Sequence, residues 1–518
     1  MSLKGPDAVE IALWNGRLAG IAEEMGALLR RSALSPNIKE RRDLSCAIFD
    51  RHGRLLAQAD HIPVHLGSTG LAVQEVLGRA RPGPGQVAIV NDPYAGGTHL
   101  PDITLVAPVT IGKEALFWVA CRAHHADVGG AAPGSMAVVR HVDDEGLRIP
   151  PRLLDAEVVA QLRSASRTPD EREGDLLAQR ASLEIGAARL AALCERFGAD
   201  ALLSAGNDLL GYGERMMRAA LHGIREGTYA FADSLDDDGA GTVDVPIRVC
   251  LTIRDGRATV DFADSAPQVA GPVNAVYAVT LSASLYAFRC LAPAGTPTNA
   301  GVFAPIDVIA PPGTVVHASF PAPVAGGNVE TSQRIVDVVL GALAQALPER
   351  VPAASQGTMN NLAFGAEGFA YYETLGGGAG GGPQGPGARA LHTHMTNTWN
   401  TPIEALEHEL PVRVTRYAIR RGSGGGGLHA GGDGLVREIE FLRPATVTLM
   451  GERRRRPPYG LRGGGPGLPG RDVLIREGIE SDLPSKTTFE ALAGDRLRIE
   501  TPGGGGWGRP NAKLKADG

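Results

Sequence analysis

Apolar residues recur along this chain with two periods, and the switches between them mark its elements. Val9, Trp14, Leu18, Ile21, Met25 and Leu28 or Leu29 fall at helical spacing, and Ser35-Pro36 stops the run, so residues 7–33 predict a helix. Residues 46–50 and 55–59 predict a hairpin around His52-Gly53. Residues 103–109 are mostly apolar, residues 111–114 read as a turn, and residues 115–121 are apolar again, which predicts an antiparallel hairpin. Residues 172–197 and 199–225 predict two long helices parted by Gly198, with Leu183, Leu190, Leu193 and Phe197 as the stripe of the first. This helix pair is expected to separate the hairpin from the next sheet. That sheet contains a hairpin of residues 245–253 and 258–263, turning at Asp255-Gly256. Residues 276–287 predict a buried helix, and residues 331–347 an amphipathic one.

The pattern changes near residue 350. Glycine runs at 376–382, 422–427, 463–465 and 503–506 punctuate short β-prone segments such as 438–442 and 445–450. The expected fold is α+β and multi-lobed: mixed and antiparallel β-sheets, long helices, and a strand- and glycine-rich C-terminal region. Residues 1–170 form the lobe carrying the long hairpin, 171–350 a helical and β-hairpin middle region, and 351–518 the C-terminal region. With 518 residues the chain is too long for one simple core.

The net charge of −6 gives no basic footprint, so no nucleic-acid partner is expected. The cysteines Cys46, Cys121, Cys194, Cys250 and Cys290 are dispersed and odd in number, which points to a reducing cytoplasm rather than a disulfide framework. Residues 1–20 mix charge with apolar positions and contain no signal-peptide core, and no apolar stretch is long enough to span a bilayer. A cytoplasmic protein without a membrane partner is expected. The 69 glycines suggest many close backbone approaches.

The chemistry is concentrated at the long hairpin. Asn91-Asp92-Pro93-Tyr94-Ala95-Gly96-Gly97-Thr98-His99-Leu100-Pro101-Asp102 precedes it, and Arg122-Ala123-His124-His125-Ala126-Asp127-Val128-Gly129-Gly130 ends it. Imidazoles and carboxylates on polar turns suit a divalent metal, zinc or manganese. The same residue types also cap strands and bond to backbone. If Asp102 pairs near Ala123 or His124, then His99, Asp102 and His124 share one end of the hairpin; a slip of one residue puts Asp102 and His124 on opposite faces. Asp127 is a candidate to bond a ligand histidine's second nitrogen and fix its tautomer. Asp92, before Pro93, reads as a turn cap. His61 and His65 flank Pro63, and either could reach the hairpin as a fourth ligand or acid–base group, the alternative being a backbone-bonded surface histidine. His392 and His394 alternate, as on one strand face. No glycine run contains Gly-X-X-X-X-Gly-Lys-Ser/Thr, so no nucleotide phosphate loop is expected here, and residues 376–382 read as a flexible loop. Arg453–Arg456 read as a solvated run able to grip an anion or a partner. Lys39-Glu40-Arg41-Arg42-Asp43 reads as a solvated face with internal ion pairs.

These motifs resemble the hydantoinase B/oxoprolinase family. So do Asn37-Ile38-Lys39-Glu40-Arg41-Arg42-Asp43-Leu44-Ser45-Cys46, Ala325-Gly326-Gly327-Asn328-Val329-Glu330-Thr331-Ser332, Asn397-Thr398 before Pro402-Ile403-Glu404, the run after Ser423, and Thr501-Pro502-Gly503-Gly504-Gly505-Gly506-Trp507-Gly508. The resemblance runs over roughly residues 7 to 510. It implies a metal on His99, Asp102 and His124, with Glu40 facing the site beside His65 and Asp127. It also implies an A-type, ATP-binding partner with magnesium, and a hetero-oligomer such as A2B2. The implied activity is ATP-dependent hydrolysis of a small cyclic amide: a hydantoin, a lactam or 5-oxoproline. The alternative is the large subunit of an ATP-dependent ketone carboxylase.

Overall fold

A computed structural model describes residues 7–59 and 61–510, with four β-sheets wrapped by helices. The expectation of no leader at residues 1–20 therefore lies partly outside the described residues. Helix α1 (Ala8–Ser32) starts on the Asp7 carboxylate, which accepts from the Val9 amide, and buries Trp14, Leu18, Ile21, Met25 and Leu29 along one stripe. Val9 is exposed instead of belonging to that stripe. Trp14 already packs on Phe197, the last residue of the neighbouring helix, so Val9 lies a turn beyond its end.

A single turn, α2 (Pro36–Lys39), leads into the first sheet. Its strands are β1 (Leu44–Asp50), β2 (Leu55–Gln58), β3 (Ala88–Val90), β4 (Asp102–Ile111), β5 (Glu114–His124) and β6 (Arg152–Leu153), with α3 (His65–Arg79) between β2 and β3. All pairs are antiparallel in the order β2-β1-β5-β4-β3-β6. Strand alternation gives it two covered faces. Ala47, Phe49, Val106, Trp118 and Ala120 pack under Ala72, Val73 and Val76 of α3. Cys46, Ile48, Leu105, Val119 and Cys121 face the main core with α1. After α4 (Ala156–Ala165), helix α5 (Pro169–Phe197) lies on that second face against β4 and β5, and α6 (Ala199–His222) follows across Gly198.

The second sheet is β10-β9-β8-β7, from β7 (Gly227–Asp237), β8 (Val243–Arg254), β9 (Arg257–Asp261) and β10 (Ile306–Ile309). Helices α7 (Tyr277–Arg289), α8 (Ala300–Phe303) and α9 (Ser332–Ala346) accompany it. Helix α9 packs on β7 and β8, α7 packs on α9, and α3 packs on α7. These three helices fill the space between the two sheets, the place expected for α5 and α6. Helix α5 lies on the opposite side of the first sheet, where its stripe meets α1.

The C-terminal region holds β11 (Asn361–Ala366), β12 (Phe369–Glu373), α10 (Ile403–Glu409), β13 (Val412–Arg420), β14 (Gly434–Phe441), β15 (Ala445–Met450), β16 (Arg471–Arg476), β17 (Ile479–Asp482), β18 (Lys486–Ala491) and β19 (Arg496–Glu500). They form sheets β12-β11-β15-β18 and β13-β14-β19-β16-β17, which share a core of Leu362, Phe364, Leu435, Ile439, Val447 and Leu497.

The glycine runs are not flexible loops. They lie side by side and bond backbone to backbone: Gly378 N donates to Pro502 O, Gly381 N to Gly505 O, Gly432 N to Ala379 O and Gly506 N to Gly465 O. A Cβ on Gly504 would sit 2.0 Å from Ala379 O, so glycine is required by close approach of two backbones. Half of the four-arginine run is likewise turned inward. Arg453 pairs with Asp233 and Asp337 and Arg454 with Asp472, whereas Arg455 and Arg456 stay exposed beside Asp244.

Gly504→Ala should therefore destabilise the chain by about 1–3 kcal/mol or more, as overpacking does. Gly385→Ala, where an added Cβ meets nothing within 4 Å, should stay within about 0.5 kcal/mol. Denaturant midpoints of the two variants check the contrast, and equal midpoints would refute it.

Candidate metal centre

The hairpin register decides which groups meet. Asp102 pairs directly with His124, and Thr104 with Arg122, so these four side chains share the α3 face of the sheet. One residue on, His125 points to the α5 face and bonds Gln179 Oε1 through Nε2 at 3.0 Å. The turn before β4 brings in His99, whose ring centroid is 4.9 Å from that of His124. His65, at the start of α3, completes the group: its Nε2 lies 3.2 Å from Asp102 Oδ2, and its Nδ1 lies 2.8 Å from Ser45 Oγ on β1.

Each of the two imidazoles at the hairpin end is held through Nδ1. Asn37 Nδ2, in α2, is 3.0 Å from His124 Nδ1, and Asn328 Nδ2 is 3.1 Å from His99 Nδ1. Asn328 belongs to a π-helical turn, Gly327–Thr331, that leads into α9. Tyr372 on β12 stacks flat on His124 at 4.8 Å and 6°, and its hydroxyl donates to Asn361 Oδ1 at 2.7 Å. Arg41, fully buried, donates from Nη1 to the Tyr372 carbonyl and so fixes that strand over the histidine.

The opposite ends of these side chains are unpaired. His99 Nε2, Asp102 Oδ1 and His124 Nε2 are buried without a hydrogen-bond partner, and so are Asn37 Oδ1 and Asn328 Oδ1. A half-turn of each amide puts its oxygen on the histidine Nδ1. That orientation holds the proton on Nδ1 and leaves the Nε2 lone pair open. Two imidazole nitrogens and one carboxylate oxygen then fit a divalent cation by chemistry. Among the described residues no group of three or more His, Cys, Asp or Glu side chains stands placed to hold a metal ion. The unpaired donors still call for a partner, because leaving such buried groups unsatisfied costs roughly 1–3 kcal/mol each.

Electrostatics agree with a cation-ready pocket. Burial opposes ionisation of Asp102, but His99 and His65 beside it outweigh burial and hold its carboxyl well below the usual range. Burial, then the neighbouring His99, holds His124 well below an ordinary histidine. Asp43 is raised by burial, with the Arg41 guanidinium opposing, and its backbone oxygen accepts from the His124 amide at 3.0 Å.

Of the residues singled out from sequence, His65, His99, Asp102 and His124 come together, and Glu40, Asp127 and His61 do not join them. Glu40 is part-exposed and lies 3.9 Å from Lys39 Nζ. Its loop sends Asn37, Arg41 and Asp43 inward instead. Asp127 is buried but bonds no histidine: it accepts from the amides of Gly129, Gly134 and Arg167 and pairs with the Arg167 guanidinium, bracing the loop after β5. His61 accepts the Cys46 amide on Nδ1. Asp92 caps the turn at Tyr94, as expected. His392 and His394 do not alternate along a strand; His394 sits in a turn at φ +57. Asn37, Asn328 and Tyr372 had no assigned role. The signal for the first two is only an asparagine within a motif, and nothing local marks Tyr372.

Known proteins resemble this chain over nearly its whole length. The hydantoinase B/oxoprolinase family profile matches residues 7–510. 5-Oxoprolinase 1 of Arabidopsis thaliana is 39% identical over 535 residues; the match covers 97% of this chain but 42% of that protein, so the chain spans about two fifths of its length. A putative D-/L-hydantoinase B-type subunit of a Pseudomonas species is 31% identical, covering 98% of this chain and 91% of that one. The solved structure of ATP-dependent caprolactamase from Pseudomonas jessenii matches with TM-score 0.92 and 30% identity, over 99% of this chain and 94% of that chain.

Asn37→Leu keeps the number and branching of side-chain heavy atoms and removes the bond to His124 Nδ1. We expect a loss of about 1–3 kcal/mol in unfolding free energy. An unchanged thermal midpoint would show that the amide does not hold the ring.

Proposed function

The chain belongs to the hydantoinase B/oxoprolinase family, and we propose that it is the metal-holding, B-type subunit of an ATP-dependent cyclic amide hydrolase. The observation that carries this reading is the set of three unpaired, buried donors at the hairpin end: His99 Nε2, Asp102 Oδ1 and His124 Nε2. The likeness to an ATP-dependent caprolactamase supports the substrate class of lactams, hydantoins and 5-oxoproline.

His99, Asp102 and His124 would hold one divalent ion, zinc or manganese. When bound, such an ion supplies Lewis-acid polarisation of an oxygen and an acidified water. The protein's own groups set the stage. Asn37 and Asn328 orient the two imidazoles and fix their tautomers. His65 Nε2 donates to the Asp102 carboxylate while Ser45 holds its other nitrogen, so a proton is held at His65 Nε2 beside the carboxylate. Tyr372 covers His124 and excludes water from one side.

ATP enters because an unstrained amide is a poor electrophile, and phosphorylating its oxygen makes a leaving group. This chain has no phosphate-loop motif. We therefore assign ATP and magnesium to an A-type partner in a cytoplasmic hetero-oligomer such as A2B2, as the B-type hydantoinase relative suggests. The deciding experiment is a screen of cyclic amides with the co-purified partner, with and without bicarbonate. Ring opening that depends on ATP supports the reading. Bicarbonate-dependent carboxylation without ring opening would replace it with the ketone carboxylase.

Elemental analysis of chelator-free protein should find one divalent ion per chain. His124→Ala should weaken metal affinity at least as much as loss of a supporting residue does, about 10–100-fold, and should also lower the thermal midpoint, because it removes the Asn37 bond and the stack on Tyr372. Normal metal content in that variant would remove His124 from the ligand set.

The isolated chain should not hydrolyse ATP, whereas the assembled complex should. Equal phosphate release from both would place nucleotide chemistry here instead.

A further inference from the structure

Two motif stretches meet at a surface pocket of about 310 Å³. One is the charged loop ending α2; the other is the segment Asn397-Thr398-Trp399. The Trp399 amide donates to Arg41 O, and Asn397 Nδ2 donates to His61 O, which fixes the second segment against the first. Arg42 and, from the last turn of α1, Arg30 line the pocket. Among the described residues neither guanidinium forms an ion pair with a carboxylate, in contrast to Arg334, Arg453 and Arg454, each of which does. Glu23 also lines the pocket and has contacts of its own.

Three features mark Arg42 as held in place for a purpose. Its backbone is left-handed, at φ +58, a conformation that costs a side-chain-bearing residue and persists where the surroundings impose it. Its guanidinium carbon lies 3.4 Å from the Trp399 ring centroid, so the cation is seated over the indole face. Its proton affinity is lowered, first by burial and then by the like charge of Arg30. Two like charges beside one carboxylate, Glu23, leave the pocket lining net positive, which favours an anion.

We propose that the pocket between Arg30, Arg42 and Trp399 binds a phosphate group. Two guanidiniums match a tetrahedral dianion through paired N–H donors. The pocket adjoins the metal centre through the chain itself. Arg42 precedes Asp43, whose carbonyl accepts from the His124 amide, and Leu44, which lines the pocket, pairs with Ala123. The identity of the phosphate bearer rests on the function proposed above: it is either the phosphorylated amide arriving from the partner or the inorganic phosphate leaving. The binding itself does not depend on that reading.

The test uses the purified full chain with inorganic phosphate as probe. Trp399 is 55% exposed, whereas Trp14, Trp118 and Trp507 are 7% exposed or less, so a fluorescence change reports this pocket. We expect a saturable signal and matching calorimetric binding. Arg42→Gln and Arg30→Gln, both changes at part-exposed positions, should each weaken it at least tenfold with an unchanged thermal midpoint. Trp399→Phe should silence the fluorescence while calorimetry still reports binding. No saturable binding, or equal affinity in wild type and both arginine variants, overturns the site. In the assembled complex, a raised KM for the amide in Arg42→Gln with intact ATP hydrolysis identifies the phosphorylated substrate as the ligand. A change confined to phosphate product inhibition identifies the leaving anion. Phosphate binding in a complex that opens no cyclic amide would keep the site and reject the proposed function.

Discussion

The direct pairing of Asp102 with His124 is the constraint from which the centre follows. Two hydrophobic faces hold that register. Trp118, Ala120 and Val106 pack under α3, while Val119, Cys121 and Leu105 face α1 and α5. Slipping the pair by one residue would move every one of these side chains to the wrong cover, so the register is held by many apolar contacts at once. The irregularity in the hairpin lies between Val109 and Thr110, toward the far turn, and leaves the functional end in regular pairing. Ser45 shares the face with Asp102 for the same reason of alternation, and His65 meets them from the start of α3.

The remaining parts of the centre arrive from far along the chain. Asn328 comes from the π-turn before α9, and Tyr372 from the C-terminal sheet. Both positions depend on buried charge pairing between those regions. Arg334 of α9 pairs with Asp233 of β7 and with Glu452 just after β15, and Lys486 of β18 pairs with Glu452 as well. Such groups carry a large desolvation cost when alone and lose it only in one mutual arrangement, so they specify geometry. Glu330, in the same π-turn as Asn328, accepts from the Met359 amide and Asn361 Nδ2, and burial pushes its carboxyl up to about 8. Asn361 in turn accepts from Tyr372. One hydrogen-bonded line thus runs from the π-turn to the ring that covers His124.

The glycine runs serve the same end by a different means. Where backbones pack at distances that exclude a Cβ, their amides and carbonyls bond to one another and the segments become a fixed scaffold. The C-terminal region can then set the position of β12, and with it Tyr372, against the hairpin.

By itself the sequence determined the long helices, the hairpins and the residues His65, His99, Asp102 and His124 as a candidate set. Those rest on periodic burial and on chemistry written into short, local runs, which act over a few residues. It did not determine the face that Asp102 and His124 share, because spacing leaves register open until both covers of the sheet are in place. It placed Glu40 at the site where Asn37, Arg41 and Asp43 are, because a charged run does not show which of its members turns inward. It assigned Asp127 to a histidine, although the nearest donors after folding are the amides of its own loop and Arg167. Residues 376–382 read as flexible because glycine favours loose chain in isolation, and only packing against residues 502–505 made them rigid. Asn328 and Tyr372 reach the histidines across 229 residues and across the stack on His124, contacts that no local pattern encodes, since burial and pairing between distant segments exist only once the chain has closed on itself.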